Sequence, residues 1–171
     1  MTLKLKSCAL LLAVTVAVVA DAAPPAAATA DPFLARLEGD WDMVGTVQGK
    51  PVRHHGAARW VLKQGWLCLS ITDAGSPPAY EASVYLGFDK RAHDYIAHWL
   101  DQFGAAGARV VGTGQREGET LVLLFPYGEG AFRDTFSLPA GASGGSLLLE
   151  SQEKDGRWST FASYRLTRHG P

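Results

Sequence analysis

From Gly39 onward, short runs rich in Val, Leu, Tyr, Phe and Trp alternate with punctuation by Gly, Pro, Asp and Lys. That rhythm is the pattern of consecutive hairpins. It predicts strands near residues 41–47, 55–63, 66–73, 80–88, 93–102, 109–115, 120–127, 132–138, 146–153 and 158–168. Polar joints separate several of them: Gln64-Gly65, Asp89-Lys90-Arg91, Glu117-Gly118 and Asp155-Gly156. The last is the strongest hairpin signal in the chain, because Asp-Gly suits a two-residue turn with positive φ. Ahead of the strands, Phe33, Leu34 and Leu37 sit at helical spacing and predict a short N-terminal helix.

Alternation divides each strand into two faces. Tyr80, Ala82, Val84, Leu86 and Phe88 share one face, as do Phe132, Asp134, Phe136 and Leu138. Trp158, Thr160, Ala162, Tyr164 and Leu166 form a third set. No helical segment is long enough to cover a sheet face, so the strands must bury these faces against one another. Closing the sheet also removes unpaired edges. The expected fold is all-β: a single antiparallel up-and-down barrel of about ten strands, spanning residues 33–169. A two-sheet sandwich is the competing arrangement, and periodicity does not separate a lined cavity from a filled core.

The N-terminal stretch changes the picture of where the domain works. Lys4 and Lys6 precede an apolar run over residues 8–20, and Ala20-Asp21-Ala22 supplies small residues for a cleavage site. This is the layout of a secretory signal peptide over residues 1–22. The run is shorter than the ~20 residues that span a bilayer, which argues against a retained anchor. Residues 23–32 are Ala- and Pro-rich and read as a tether. A periplasmic or secreted protein with no integral membrane contact after cleavage is therefore expected. Cys68 is then the remaining thiol, on a strand, and reads as a small apolar residue. A formal net charge of −1, with no basic stripe, leaves no electrostatic footprint for nucleic acid.

Several segments resemble a known family. Gly39-Asp40-Trp41 carries the Gly-x-Trp pattern of the first strand of lipocalins and other calycins. LEGDWDMVG, WVLKQGWL, YLGFDKRAHDYIAHWLD, VVGTG and a terminal TR together resemble the bacterial family of unknown function numbered 1579. Gly87, Asp89, Tyr95, Trp99 and Asp101 carry the most specific part of the likeness, which extends over about residues 33–168. The segments 126–131 and 140–145 depart from the pattern. The resemblance implies a calycin-like barrel with no established activity. It also implies that Trp41 closes one end, packed by a basic residue of the last strand, for which Arg168 has the right parity.

Candidate chemistry is sparse. His54 and His55 are neighbours on a strand and point to opposite faces, as do His93 and His98, so neither pair assembles a metal site. Haem-binding barrels of the nitrobindin kind share this architecture, which makes His98 a weak candidate as a single haem ligand; otherwise no cofactor is implied. Tyr95, Trp99 and Asp101 share a strand face and could line a pocket or merely fill the barrel. Asp134 lies between Phe132 and Phe136 on an interior face. A buried, unpaired carboxylate costs at least several kcal/mol. Asp134 is thus exposed through the mouth, protonated, or paired; Arg59 is a possible partner, although Trp60 argues for the opposite parity. Together with Tyr80 or Tyr164 it would form the polar end of a ligand pocket.

The expected function is binding of a small apolar or aromatic molecule inside the barrel, lined by Tyr80, Tyr95, Trp99, Asp101, Phe132, Asp134, Phe136 and Tyr164. Two alternatives use the same scaffold: an enzyme with Asp and Tyr acid–base groups, or a filled barrel acting through its surface. No Ser–His–Asp order, phosphate loop or paired-carboxylate motif assigns catalytic residues.

Overall fold

A computed structural model describes residues 30–169. The signal-peptide reading of residues 1–22 and most of the tether lie outside the described residues. A short helix, α1 (Pro32–Leu37), precedes ten strands: β1 (Gly39–Val47), β2 (Lys50–Val61), β3 (Trp66–Asp73), β4 (Glu81–Asp89) and β5 (Asp94–Asp101). After a 3-10 turn at Gly107–Arg109 follow β6 (Gly112–Glu117), β7 (Thr120–Phe125), β8 (Phe132–Ser137), β9 (Gly144–Gln152) and β10 (Trp158–Arg168). Every strand pairs antiparallel with its sequence neighbours, and β1 pairs with β10, so the sheet is a closed up-and-down barrel.

The alternating faces follow the expected parity over most strands. Leu67, Leu69 and Ile71 of β3 point inward, as do Ala82, Val84 and Leu86 of β4, and all are buried. One face, on β10, departs from that parity. A bulge between Thr160 and Ala162 shifts the register of β10 against β9. A bulge inserts one residue and reverses the parity on one side of it. Trp158 therefore lies outside, where the Arg133 guanidinium sits 4.4 Å over its ring, and Thr160 is exposed. Phe161 packs against the core in their place.

The two ends of the cylinder differ. At one pole, α1 covers the opening and buries Phe33, Leu34 and Leu37. Asp31 and Pro32, read from the sequence as the end of the tether, are its cap and first residue: the Asp31 carboxylate accepts from the Phe33 and Leu34 amides at 3.0 Å each. Trp41 lies beneath, its indole N–H donating to the Leu37 carbonyl at 2.8 Å. Arg168, the register partner of Trp41, holds its guanidinium 4.1 Å over that indole and donates to the Glu38 and Arg36 carbonyls. A stacked cation of this kind adds ~0.5–2 kcal/mol beyond packing. Here it also satisfies carbonyls that the end of a helix leaves unpaired.

Gly39 makes the arrangement possible. Its φ is +124°, and a side chain there would collide with the Arg168 guanidinium. Gly49, in the β1–β2 turn at the opposite pole, also has positive φ (+75°), but nothing lies within 4 Å of where its Cβ would stand. Gly39→Ala is expected to destabilise the barrel by about 1–3 kcal/mol more than Gly49→Ala, since only the former displaces the arginine that closes the pole. Thermal unfolding of the two variants measures the difference, and equal losses would contradict this account of the closed pole.

Candidate functional site

A barrel of eight strands has an interior just wide enough for side chains to fill. Ten strands leave room. At the helical pole the space is taken up by large inward side chains, including Phe33, Leu67, Leu86, Leu121, Phe136 and Leu147, all fully buried. Toward the opposite pole the lining includes small residues, such as Ala79, Ala108, Gly128 and Ala162, and a cavity of about 1050 Å³ opens between them. Its mouth is formed by the β1–β2, β3–β4, β5–β6 and β7–β8 connections, which contribute Gln48, Ala79, Phe103 and Tyr127 to the lining.

Six of the eight residues expected to line a pocket do so: Tyr80, Trp99, Asp101, Phe132, Asp134 and Tyr164. Tyr95 and Phe136 do not. Both keep inward parity but sit at the helical pole, where Tyr95 packs on Phe33 and Phe88 and donates its hydroxyl proton to Asp31 at 3.1 Å. Alternation along a strand assigns a face, not a depth along the barrel axis. His98 faces outward on β5, with Nε2 2.7 Å from the Ala108 carbonyl oxygen, and does not reach the cavity. Arg59 is likewise outside, paired with Asp40 at 2.6 Å, so it is not the partner of Asp134.

Asp134 is the central polar group of this interior. It is 3% exposed and stands on β8 opposite Leu123 of β7 and Leu149 of β9. Burial alone pushes its carboxyl up to about 7, and among the described residues no neighbouring cation or donor offsets the loss of water. Tyr80 receives a hydrogen bond from the Trp99 indole at 3.2 Å. Burial pushes its phenol up to about 12, aided by the charges of Asp101 and Asp134. Tyr164 is raised to about 12 by the same desolvation, and Tyr127 is raised by burial and by Asp134 and Asp101. These phenols remain protonated and able to donate over the whole neutral range.

His54 was missed as a site residue. It is 3% exposed and lines the cavity, its ring 5.7 Å from that of Tyr80 and 5.5 Å from that of Tyr164. Its Nδ1 is buried without a hydrogen-bond partner, and its Nε2 lies 3.9 Å from the Asp73 carboxylate, beyond hydrogen-bond reach. Burial lowers its pKa more than Asp73 raises it, which keeps the imidazole neutral near pH 7. The signal was present in the sequence: if Trp60 fixes the parity of β2, His54 shares its face. Among the described residues, no three His, Cys, Asp or Glu side chains converge on a point that could hold a metal ion.

No protein-family model matches the chain, and no curated protein matches it. Among solved structures, the crystal structure of Rv2717c from M. tuberculosis superposes with a TM-score of 0.53 at 14% identity, covering 82% of this chain and 99% of that one. The likeness is one of fold: two proteins of this identity share a barrel without sharing a demonstrated chemistry.

The Asp134 carboxyl links stability to pH. A folded-state pKa above the unfolded value means that the native state holds the proton more tightly. Its contribution is therefore complete below about pH 4 and is lost as the pH rises through about 7. Three pH units of difference correspond to a loss on the order of 4 kcal/mol. Asp134→Asn is expected to remove this dependence, leaving the variant more stable than the parent at pH 8 but not at pH 4. Urea denaturation at the two pH values tests it; a parent and variant that differ equally at both would refute the assignment.

Proposed function

We propose that this protein is an exported binding barrel that holds one small, largely apolar or aromatic molecule in its interior. The observation that carries the reading is the cavity of about 1050 Å³. Its size is at the upper end of the ~300–1,000 Å³ typical of sites that enclose a small ligand. The Trp99, Phe125, Phe132 and Phe161 rings give it flat apolar surface, and the Tyr80 and Tyr164 hydroxyls offer donors that can orient a ligand. The apolar run over residues 8–20 behind Lys4 and Lys6 supports export to the periplasm or beyond. The segments around Gly39–Trp41 and Gly87–Asp101 support kinship with the family of unknown function numbered 1579.

Binding is favoured over tyrosine-based acid–base catalysis in the same space. Efficient proton transfer needs a group whose pKa lies near the working pH. Phenols pushed up to about 12 are far from it. Asp134, raised to about 7, meets that condition, but among the described residues no tyrosine or histidine is hydrogen-bonded to it to complete an Asp–Tyr acid–base pair.

The neutral fluorophore N-phenyl-1-naphthylamine provides the test. Saturable one-to-one binding with blue-shifted emission is expected for the parent. Leu149→Trp, which places an indole in the cavity lining, is expected to weaken it by at least about tenfold while the far-UV spectrum remains that of a barrel. Absence of saturable binding, or binding indifferent to Leu149→Trp, would rule the reading out.

A further inference from the structure

The interior carries charge of one sign. Asp134 lies within it, Asp73 and Asp101 stand nearer the mouth, and Glu129 lies on the β7–β8 connection; no lysine or arginine is among the described residues that line it. His54 is the lining side chain that could become positive, and desolvation opposes that. The Asp134 carboxyl is buried, and among the described residues no hydrogen-bond donor or cation offsets its desolvation. Its register partners on both flanking strands are leucines. The groups that face it electrostatically across the lumen are Tyr80 and Tyr127, both neutral phenols, and these also feel Asp101.

A buried carboxyl group without a counter-charge is a poor structural element, because removing it would relieve the desolvation it suffers. It is a good recognition element for a ligand that brings the missing charge. Aromatic faces around it add to the selection, since ring quadrupoles attract cations and the desolvated setting strengthens the attraction. An anionic ligand meets repulsion from four carboxyl groups and finds no basic partner.

We propose that the interior ligand carries a protonated amine on an apolar or aromatic body, with Asp134 as its counter-charge and the Tyr80 and Tyr127 rings beside the ammonium group. The inference rests on the interior-binding reading and adds to it the charge of the ligand. Bound amine and Asp134 form a desolvated ion pair, and the body of the ligand occupies the ring-lined space toward the mouth. Removing one member of such a pair costs tenfold or more in affinity.

Three probes share one bicyclic body: 2-naphthylmethylamine, 2-naphthylmethanol and 2-naphthoate. Calorimetry at pH 8 is expected to show the amine binding at least about tenfold tighter than the alcohol, with the naphthoate weakest. Asp134→Asn is expected to abolish the preference for the amine while leaving the alcohol within about threefold. Asp134→Ser repeats the comparison with a smaller neutral side chain. Between pH 5.5 and pH 8 the amine is expected to bind the parent about tenfold more tightly as Asp134 ionises. His54, whose pKa burial lowers, is retained in the Asp134→Asn variant, in which the gain is expected to vanish, so that variant separates the two groups. An alcohol or naphthoate that binds the parent as well as the amine, or an amine preference that survives both substitutions, overturns the proposal and leaves interior binding intact. If none of the three shifts the NMR signals of Tyr80, Trp99 and Tyr164, interior binding itself falls with it.

Discussion

The antiparallel seam between β1 and β10 turns a row of hairpins into a cylinder. Seven residue pairs, from Trp41 opposite Arg168 to Val47 opposite Ala162, join the first strand to the last. Once the sheet is closed, backbone groups have no free edge to satisfy, and the remaining problem is what happens at the two ends. The same seam handles one of them, because its terminal pair is the tryptophan and arginine that lock α1 across the opening. The other end is left to loops. A lumen that is sealed at one pole and accessible at the other follows directly from that asymmetry.

Much of this was legible from alternation. Residues 66–73 and 158–168 were bounded as the structure bounds β3 and β10, and the tyrosine, tryptophan and aspartate that share β5 with outward His98 were given the right face. What escaped has identifiable physical causes. The β1–β2 joint at Gln48-Gly49, where both residues have positive φ, is hidden in the sequence because Lys50, Pro51 and Arg53 make the start of β2 read as loop. At the next joint Leu62, Lys63 and Gln64 are all left-handed, so the turn is longer than the Gln64-Gly65 pair suggests. The β10 bulge inverts parity without any glycine or proline to announce it. Depth along the axis depends on strand tilt and stagger, which is why Tyr95 and Phe136 were assigned to the wrong end of the interior.

The candidate site concentrates features that a stability-optimised interior would avoid. Asp134 and His54 are both buried, and the polar atoms that matter in each go unsatisfied or poorly satisfied by the protein itself. At the closed pole the Trp41 indole and the Arg168 guanidinium find acceptors and the Tyr95 hydroxyl is taken by Asp31, while Arg36 Nε and Nη2 and Asp94 Oδ1 are buried there without a partner. Local departures from polar satisfaction inside an otherwise consistent fold are where function is expected to reside.

The helical plug has a further consequence for how this scaffold can change over generations. The contacts that plug the helical end lie at the pole away from the opening, on strand ends and a helix. Residue changes in the rim, at Phe103 or along Tyr127–Gly130 for instance, reshape the opening without loosening the contacts that close the far end. Such a layout lets the rim vary over generations while the foundation stays fixed.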